Sequence, residues 1–532
     1  MTVADLIACQ LRRAGVRALF GVPGGGGNLD LIAAAGRADL PFVLTATETA
    51  AAIAALAQAE ITGQPGACLT TLGPGAASAV NGVACAYLDR APLVVFTDSQ
   101  SSAGGVAFEH QRLDHAALMA PITKSSEALT ADNALQVLTR ALHQASDERP
   151  GPVHVDCPGN VAAASTPAHG ATLVGCVQHA LLPPDRERLE GLLRRARKPL
   201  IIVGLGARRP EVASAIRALT SRRHVPAMVT YKAKGVVADE DPWFAGVFTN
   251  ASIEQPILDE SDLLIGIGLD PVELIPRAWQ YRQPIVYCGP WRVPDDHVPF
   301  ELQVLIPIAE TAAVLSAGLM KSHWDARRLG AQVEEQRRHV RARGDGFTAQ
   351  RLVEAAASKL ASSAGRVTVD AGAHMFPATV LWPVRESNGM LISNGLSTMG
   401  FALPAAIGAA LLDRDRPVVA LTGDGGLLMC AGELLTAVRE KVRVITIVFN
   451  DASLSLIEIK QQARQLPPSG VALGAVDWVA LAGSVGMPGW AARDEAELDY
   501  AIDAAIACNG PSLVEARIDR SNYGATLRAI RG

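Results

Sequence analysis

No stretch of this 532-residue sequence stays apolar for the ~18–20 residues that a membrane-spanning helix needs. The opening segment, MTVADLIACQLRRAG, lacks the basic start, apolar block and cleavage site of a signal peptide and reads as an amphipathic helix. CxxC pairs are missing too. The eight cysteines (Cys9, Cys68, Cys85, Cys157, Cys176, Cys288, Cys430 and Cys508) stand far apart, which suits reduced thiols better than disulfides or zinc. Nor is there much excess of one charge: the formal net charge is −5. Lys and Arg are dispersed, and the short cluster Arg194, Arg195, Arg197, Lys198 reads as a solvated helix end. Nothing here calls for nucleic acid or an anionic membrane as partner. No short-period repeat occurs. The expectation is a cytoplasmic protein acting on small molecules.

What is present is material for large cores. Hydrophobic residues make up 49% and charged residues 19%, and the length predicts roughly three or four domains. Strand-like apolar runs alternate with helical stretches, which predicts an α/β fold of doubly wound parallel sheets. Early in the chain the runs are ALFGV, FVLTA, ACLTTL, LVVFT and VHVDC. PLIIVGLG, PAMVTY, DLLIGIG and PIVYCG follow in the middle. RVTVDAG, GMLISNG, PVVALTGDG, VRVITIVFN and PSLVEARI close the series. Residues 161–185, small and proline-bearing, and residues 318–347, charged and helical, read as linkers. They divide the chain into domains at 1–165, 186–317 and 348–532. The outer two share one strand-and-glycine-turn texture, as a duplicated domain type would.

The strongest local signal is PVVALTGDGG, then a helix, then a second strand ending VITIVFNDAS. Asp424 follows the first strand; Asn450 and Asp451 follow the second. Neighbouring parallel strands lie about 4.8 Å apart, so both ends can meet at the carboxyl edge, where open α/β sheets bind ligands. Carboxylates plus a loop carbonyl suit Mg²⁺, which keeps positions for phosphate and water. Gly423, Gly425 and Gly426 would let backbone approach a diphosphate.

GDG followed after about this interval by an Asn-Asn variant resembles the thiamine-diphosphate enzyme superfamily, and the likeness extends along nearly the whole chain. FGVPGGGGNLDLI is similar to the family's F-G-x-P-G turn, and TTLGPGAASAVNGVACAYLDRAPLVVFT to its T-x-G-P-G segment. HQRLDHAALMAPITK resembles its F-Q-E…TK stretch, and GPVHVDCPGNV the strand closing its first domain. SNGLSTMGFALPAAIGAAL is similar to the corresponding run of acetolactate synthases. The resemblance implies three domains: pyrimidine-binding, middle and diphosphate-binding.

It also implies roles. Asp424, Asp451 and the Ser453 carbonyl would hold Mg²⁺, with Asp standing where the family usually has Asn. His374 of DAGAHMF would contact the diphosphate. Glu48 of TATETAAAIAAL would hydrogen-bond the pyrimidine N1′, favouring the imino tautomer whose 4′-nitrogen deprotonates thiazolium C2. Such a carboxyl needs apolar, water-poor surroundings, and the flanking Ala and Thr residues supply them. Met399 would wedge between the two cofactor rings. Gln111 falls on the family glutamine that contacts reacting groups, with His110 in place of its phenylalanine. Gly25 and Gly73 stand where some relatives carry catalytic Ser or His. By the same analogy Glu48 and Asp424 would serve one site from different chains, so a homodimer or homotetramer is expected.

The branch is less sharply drawn. Leu274 in GLDPVELIPRAW stands where acetolactate synthases carry an arginine for the second substrate, and GVFTNASIEQ replaces their G-M-H-G, which helps to hold FAD. Both departures speak against acetolactate synthase itself and against required FAD. LSLIEIKQQ puts Ile457 and Lys460 at the pocket. Three readings stay open. The first is a 2-oxo acid decarboxylase or carboligase; the second, a lyase of 2-hydroxyacyl thioesters or a related ketol. The third is a binding protein that kept the fold without catalysis, against which stand Glu48, Asp424 and Met399.

Overall fold

A computed structural model describes residues 1–100, 109–167, 181–341, 346–363 and 365–531. Parts of both expected linkers (168–180 and 342–345), together with Cys176, lie outside the described residues. Three six-stranded sheets follow one another along the chain, and all their recorded strand pairs are parallel.

The first sheet holds β1 (Leu19–Gly21), β2 (Phe42–Leu44), β3 (Gly66–Thr70), β4 (Leu93–Ser99), β5 (Ser126–Ala128) and β6 (Pro152–Pro158), in the order β2-β1-β3-β4-β6-β5. The second holds β7 (Pro199–Val203), β8 (Ala227–Val229), β9 (Phe244–Val247), β10 (Leu263–Ile267), β11 (Ile285–Gly289) and β12 (Phe300–Leu305), in the order β12-β11-β10-β7-β8-β9. The third holds β13 (Arg366–Val369), β14 (Met390–Ile392), β15 (Val418–Gly423), β16 (Val444–Asn450), β17 (Gly489–Ala492) and β18 (Ser512–Arg517), in the order β14-β13-β15-β16-β18-β17. Counted from its own first strand, the third sheet repeats the order of the first. The shared texture of the outer segments is therefore a shared topology.

Central strands such as β7, β10 and β11 are buried at every position, as strands covered by helices on both faces must be. Four strands, β5, β9, β12 and β17, had no counterpart among the apolar runs read from sequence, and each is an edge strand. An edge faces solvent on one side, so SEA, FELQVL and GWAA carry polar or small residues and lack the continuous apolar signature.

Helix Glu48–Thr62 joins the outer domains. Thr47 caps it by accepting from Ala50 N–H (3.2 Å), and Gly63 ends it in the left-handed conformation. Every residue from Ala50 to Glu60 is buried. Such a helix has no solvent face, and its alanines let neighbours come close. It packs on helix Pro74–Leu88 of its own domain and on helix Ala402–Ala410 of the third domain, within one continuous core. Gln58 Nε2 donates across to the Gly408 carbonyl (3.0 Å).

Candidate active site

The ends of β15 and β16 are in register, Gly423 opposite Phe449, so the residues just beyond them meet as the sequence predicts. Asp424 opens helix Asp424–Cys430 and is nearly buried. Its Oδ1 accepts from Gly425 N–H (2.7 Å), and its Oδ2 from Ala452 N–H (2.7 Å) and Asp451 N–H (3.2 Å). Burial, and next the charge of Asp451, push the Asp424 pKa up to about 6. Burial likewise raises that of Asp451, which accepts from Ser453 N–H (3.0 Å) and the Ser455 hydroxyl (2.7 Å). The turn between them needs Ala452 in the left-handed region (φ 54°). Ser453 is buried, and its hydroxyl donates to Glu458 (2.8 Å).

Two acids held this close in a desolvated pocket repel each other unless a cation lies between or beside them. Among the described residues no three His, Cys, Asp or Glu side chains converge as a complete metal cage. Two carboxylates and a carbonyl fit a Mg²⁺ ion that draws its other ligands from phosphate and water.

His374 is buried next to Gly423 and stacks on Phe449, with ring centroids 4.9 Å apart. Desolvation lowers its pKa to about 4, so the ring is neutral at pH 7. Among the described residues its Nε2 has no hydrogen-bond partner, a costly state for a buried polar atom and one that a diphosphate oxygen would relieve. Met399, half-buried, extends its Cε toward Gly425.

The sequence reading missed Asp370, which organises this edge. Its carboxylate accepts from Gly400 N–H (3.1 Å), Phe401 N–H (3.2 Å), Ala371 N–H (2.9 Å) and the Thr422 hydroxyl (2.8 Å). It thereby ties the Met399 loop to β15. Burial pushes its pKa up to about 6. A Cβ on Gly426 would sit 2.4 Å from Asp370 Oδ2, so Gly426 serves this packing as much as any ligand. The signal was in view: Asp370 is the first residue of the motif DAGAH that supplied His374. The loop's far end is held by the first domain, through Thr398 to Asn81 (2.8 Å) and Gly395 N–H to Asp89 (2.9 Å).

The first domain's candidates form a second group, at the carboxyl edge of its own sheet. Glu48 is half-buried at the start of its helix, with Oε1 against Gly75 in the first turn of helix Pro74–Leu88. The turn before it is fixed by another residue that sequence reasoning missed. Glu433, buried in the third domain, accepts from Ala46 N–H (2.9 Å) and Thr47 N–H (3.2 Å). Gln111 is exposed, with φ 56°, and its backbone lies on Gly73. Around Gly25 the space where a side chain would stand is open.

Three family models match the chain. The thiamine pyrophosphate enzyme N-terminal TPP binding domain matches residues 1–118, the central domain 187–286 and the C-terminal TPP binding domain 370–516. A catabolic acetolactate synthase of Raoultella terrigena is 30% identical, covering 97% of this chain and 95% of its own length. An acetolactate synthase of Bacillus subtilis is 29% identical over 98% and 93%. A probable 2-ketoarginine decarboxylase of Pseudomonas aeruginosa is 28% identical over 97% and 94%.

Proposed function

Because the chain belongs to the thiamine pyrophosphate enzymes, in their acetolactate synthase-like branch, we propose that it decarboxylates a small 2-oxo acid and protonates the acyl fragment or joins it to an acceptor carbonyl. The cofactor is thiamine diphosphate, which when bound supplies the electron sink for carbon–carbon cleavage. The chain's own part is binding, orientation and one proton contact.

The observation that carries this reading is the Asp424–Asp451 pair at a parallel-sheet edge, where Asp424 accepts the Asp451 N–H (3.2 Å), beside a buried histidine nitrogen that has no partner among the described residues. Asp424, Asp451 and the Ser453 carbonyl would hold Mg²⁺. His374 Nε2 and the backbone of Gly423, Gly425 and Gly426 would meet the diphosphate, and Met399 would hold the rings bent. Glu48 would share its proton with the pyrimidine N1′, and Gln111 would stand near the reacting groups.

The thioester-lyase alternative calls for a nucleotide crevice in the middle domain. There Glu273 Oε2 already takes Leu205 N–H (2.8 Å) at the glycine turn after β7, and Trp291 lies against Gly206. Glu273 thus takes one backbone amide at the turn, but the turn also borders a cavity of about 420 Å³ whose lining includes Arg90, Arg208, Arg209 and Trp291, so titration with a nucleotide thioester decides this alternative. Exposed Leu428, Met429 and Leu435, on the two helices that follow β15, support a second copy covering this face.

Calorimetric titration of the apoprotein with thiamine diphosphate, with and without Mg²⁺, tests the site; CO₂ release from a panel of 2-oxo acids tests the reaction. Mg²⁺-dependent binding with CO₂ from at least one acid is expected. Binding that ignores Mg²⁺ would reject the metal site, and binding without CO₂ from any acid would reject the decarboxylase.

A further inference from the structure

A buried hydrogen-bond chain crosses the first domain beneath Gly73. Asp156, on β6, receives the Thr97 hydroxyl of β4 and His115 Nδ1 (3.0 Å) on the same oxygen, Oδ1. These contacts, led in size by that from His115, outweigh the cost of burial and keep the carboxylate well below its usual range, so it is an acceptor throughout. Thr97 donates its only proton to Asp156, so at the His154 contact (2.7 Å) Thr97 accepts and His154 Nε2 carries the proton. His154 Nδ1 is then the acceptor for the Ser126 hydroxyl (2.6 Å). At the other end His115 gives Nδ1–H to Asp156, which leaves Nε2 free to accept the backbone N–H of Gly73 (3.1 Å). His154 Nε2 also lies 3.5 Å from Asp156 Oδ1, and at its other end the chain terminates on a backbone amide.

That amide sits at a crossing. Gly73 adopts φ 59°, ψ −98°, and a Cβ there would lie 2.5 Å from the Gln111 carbonyl oxygen. Two residues on, a Cβ at Gly75 would lie 2.9 Å from Glu48 Oε1. The Gly73–Gly75 backbone is thus the spacer between Gln111 and Glu48, and its N–H is pinned from below by His115.

We propose that His115 is a positioning residue: its Nε2, held in the acceptor state by Asp156, fixes the Gly73 turn and so the separation of Glu48 and Gln111. This rests on the functional reading for the roles of those two residues, but the geometry of the turn stands apart from it. Simple packing by His115 would need only a flat ring of similar size. Positioning needs an acceptor aimed at Gly73.

Three variants separate these. His115→Phe keeps a ring and removes both hydrogen bonds; His115→Gln retains an amide that can donate to Asp156 and accept from Gly73. Asp156→Asn lets the imidazole take the other tautomer, placing N–H against N–H at Gly73. Hydrogen–deuterium exchange of the peptide spanning Thr71–Ala77 reads the turn without any cofactor, and CO₂ release from 2-oxo acids reads its consequence. His115→Phe and Asp156→Asn are expected to speed amide exchange about tenfold or more in that peptide. They should lower kcat by about 10–100-fold with KM little changed, the size of effect that a small misplacement of catalytic groups produces. His115→Gln should restore both readouts to near wild type. Unchanged exchange in the Phe and Asn variants would overturn the proposal, as would a Gln variant as impaired as Phe. If the wild-type protein releases no CO₂ from any acid, the functional reading falls, and amide exchange alone decides whether His115 holds the turn.

Discussion

At the scale of single residues the two groups of candidate residues show opposite electrostatic settings. Asp424 is kept near the middle of its titration by desolvation, whereas Asp156 stays firmly charged. The pH sense for Asp424 follows from its folded pKa of about 6 against an ordinary value of 3.8. Its contribution to stability is complete below 3.8 and is lost as pH rises through about 6. In the apoprotein, wild-type stability should therefore fall relative to that of Asp424→Asn as pH rises from about 4 to 7.5, by on the order of 2–3 kcal/mol. This comes on top of a pH-independent cost to the variant of setting its NH2 against a backbone donor. Yet the same variant should lose Mg²⁺-dependent cofactor binding in a calorimetric titration. Glu48→Gln makes the complementary case. It should bind cofactor as tightly as wild type but exchange thiazolium C2–H for deuterium far more slowly by NMR; equal rates would remove Glu48 from its assigned role.

At the scale of elements, helix Glu48–Thr62 sets the tightest packing. A Cβ at Gly82 of the neighbouring helix would lie 2.6 Å from Ala52 Cβ and 2.7 Å from the Thr49 carbonyl oxygen. Gly82→Val should push the helices apart and cost about 1–3 kcal/mol, seen as a lower urea midpoint at constant slope. Much at this level was legible in the sequence. Long buried strands announce themselves because they are apolar on both faces, and the GDG turn because few residues combine an acid with two flanking glycines. Four of the six edge strands were silent, while β2 and β14 showed as the apolar runs FVLTA and GMLISNG. Asp370 and Glu433 were silent because each works by accepting backbone N–H groups distant in sequence, 30 and 31 residues away for Asp370 and 387 and 386 for Glu433, and no local pattern records such a pairing. His115 lay inside a quoted motif, but its partner Asp156 is 41 residues on.

At the scale of the whole molecule, one buried ammonium holds the three domains together. Lys232, from the middle domain, donates to Glu60 (2.5 Å) and Asp89 (3.2 Å) of the first and to the Ile392 carbonyl (2.9 Å) of the third. Arg208 shares Glu60 (2.9 Å), and its charge together with that of Lys232 holds the Glu60 carboxyl low against burial. Lys232→Met would leave Asp89 without its ammonium and Glu60 with Arg208 alone, and should destabilise by about 3–5 kcal/mol. Because Asp89 also anchors Gly395, the variant should loosen the Met399 loop as well, measurable as faster amide exchange across Ser393–Gly400. Unfolding traces followed in different domains should separate further in the variant than in the wild type.

The core shared by the outer domains also sets a schedule. The hydrogen bond from Gln58 to Gly408 spans 350 residues of chain. At about 5–20 residues per second, a ribosome takes roughly 20–70 s to bring the second partner out after the first. Throughout that time the alanine helix at the front of the chain is complete but has no cover on one side. The first domain thus emerges as an unfinished surface, and how long it waits is decided by the speed of synthesis.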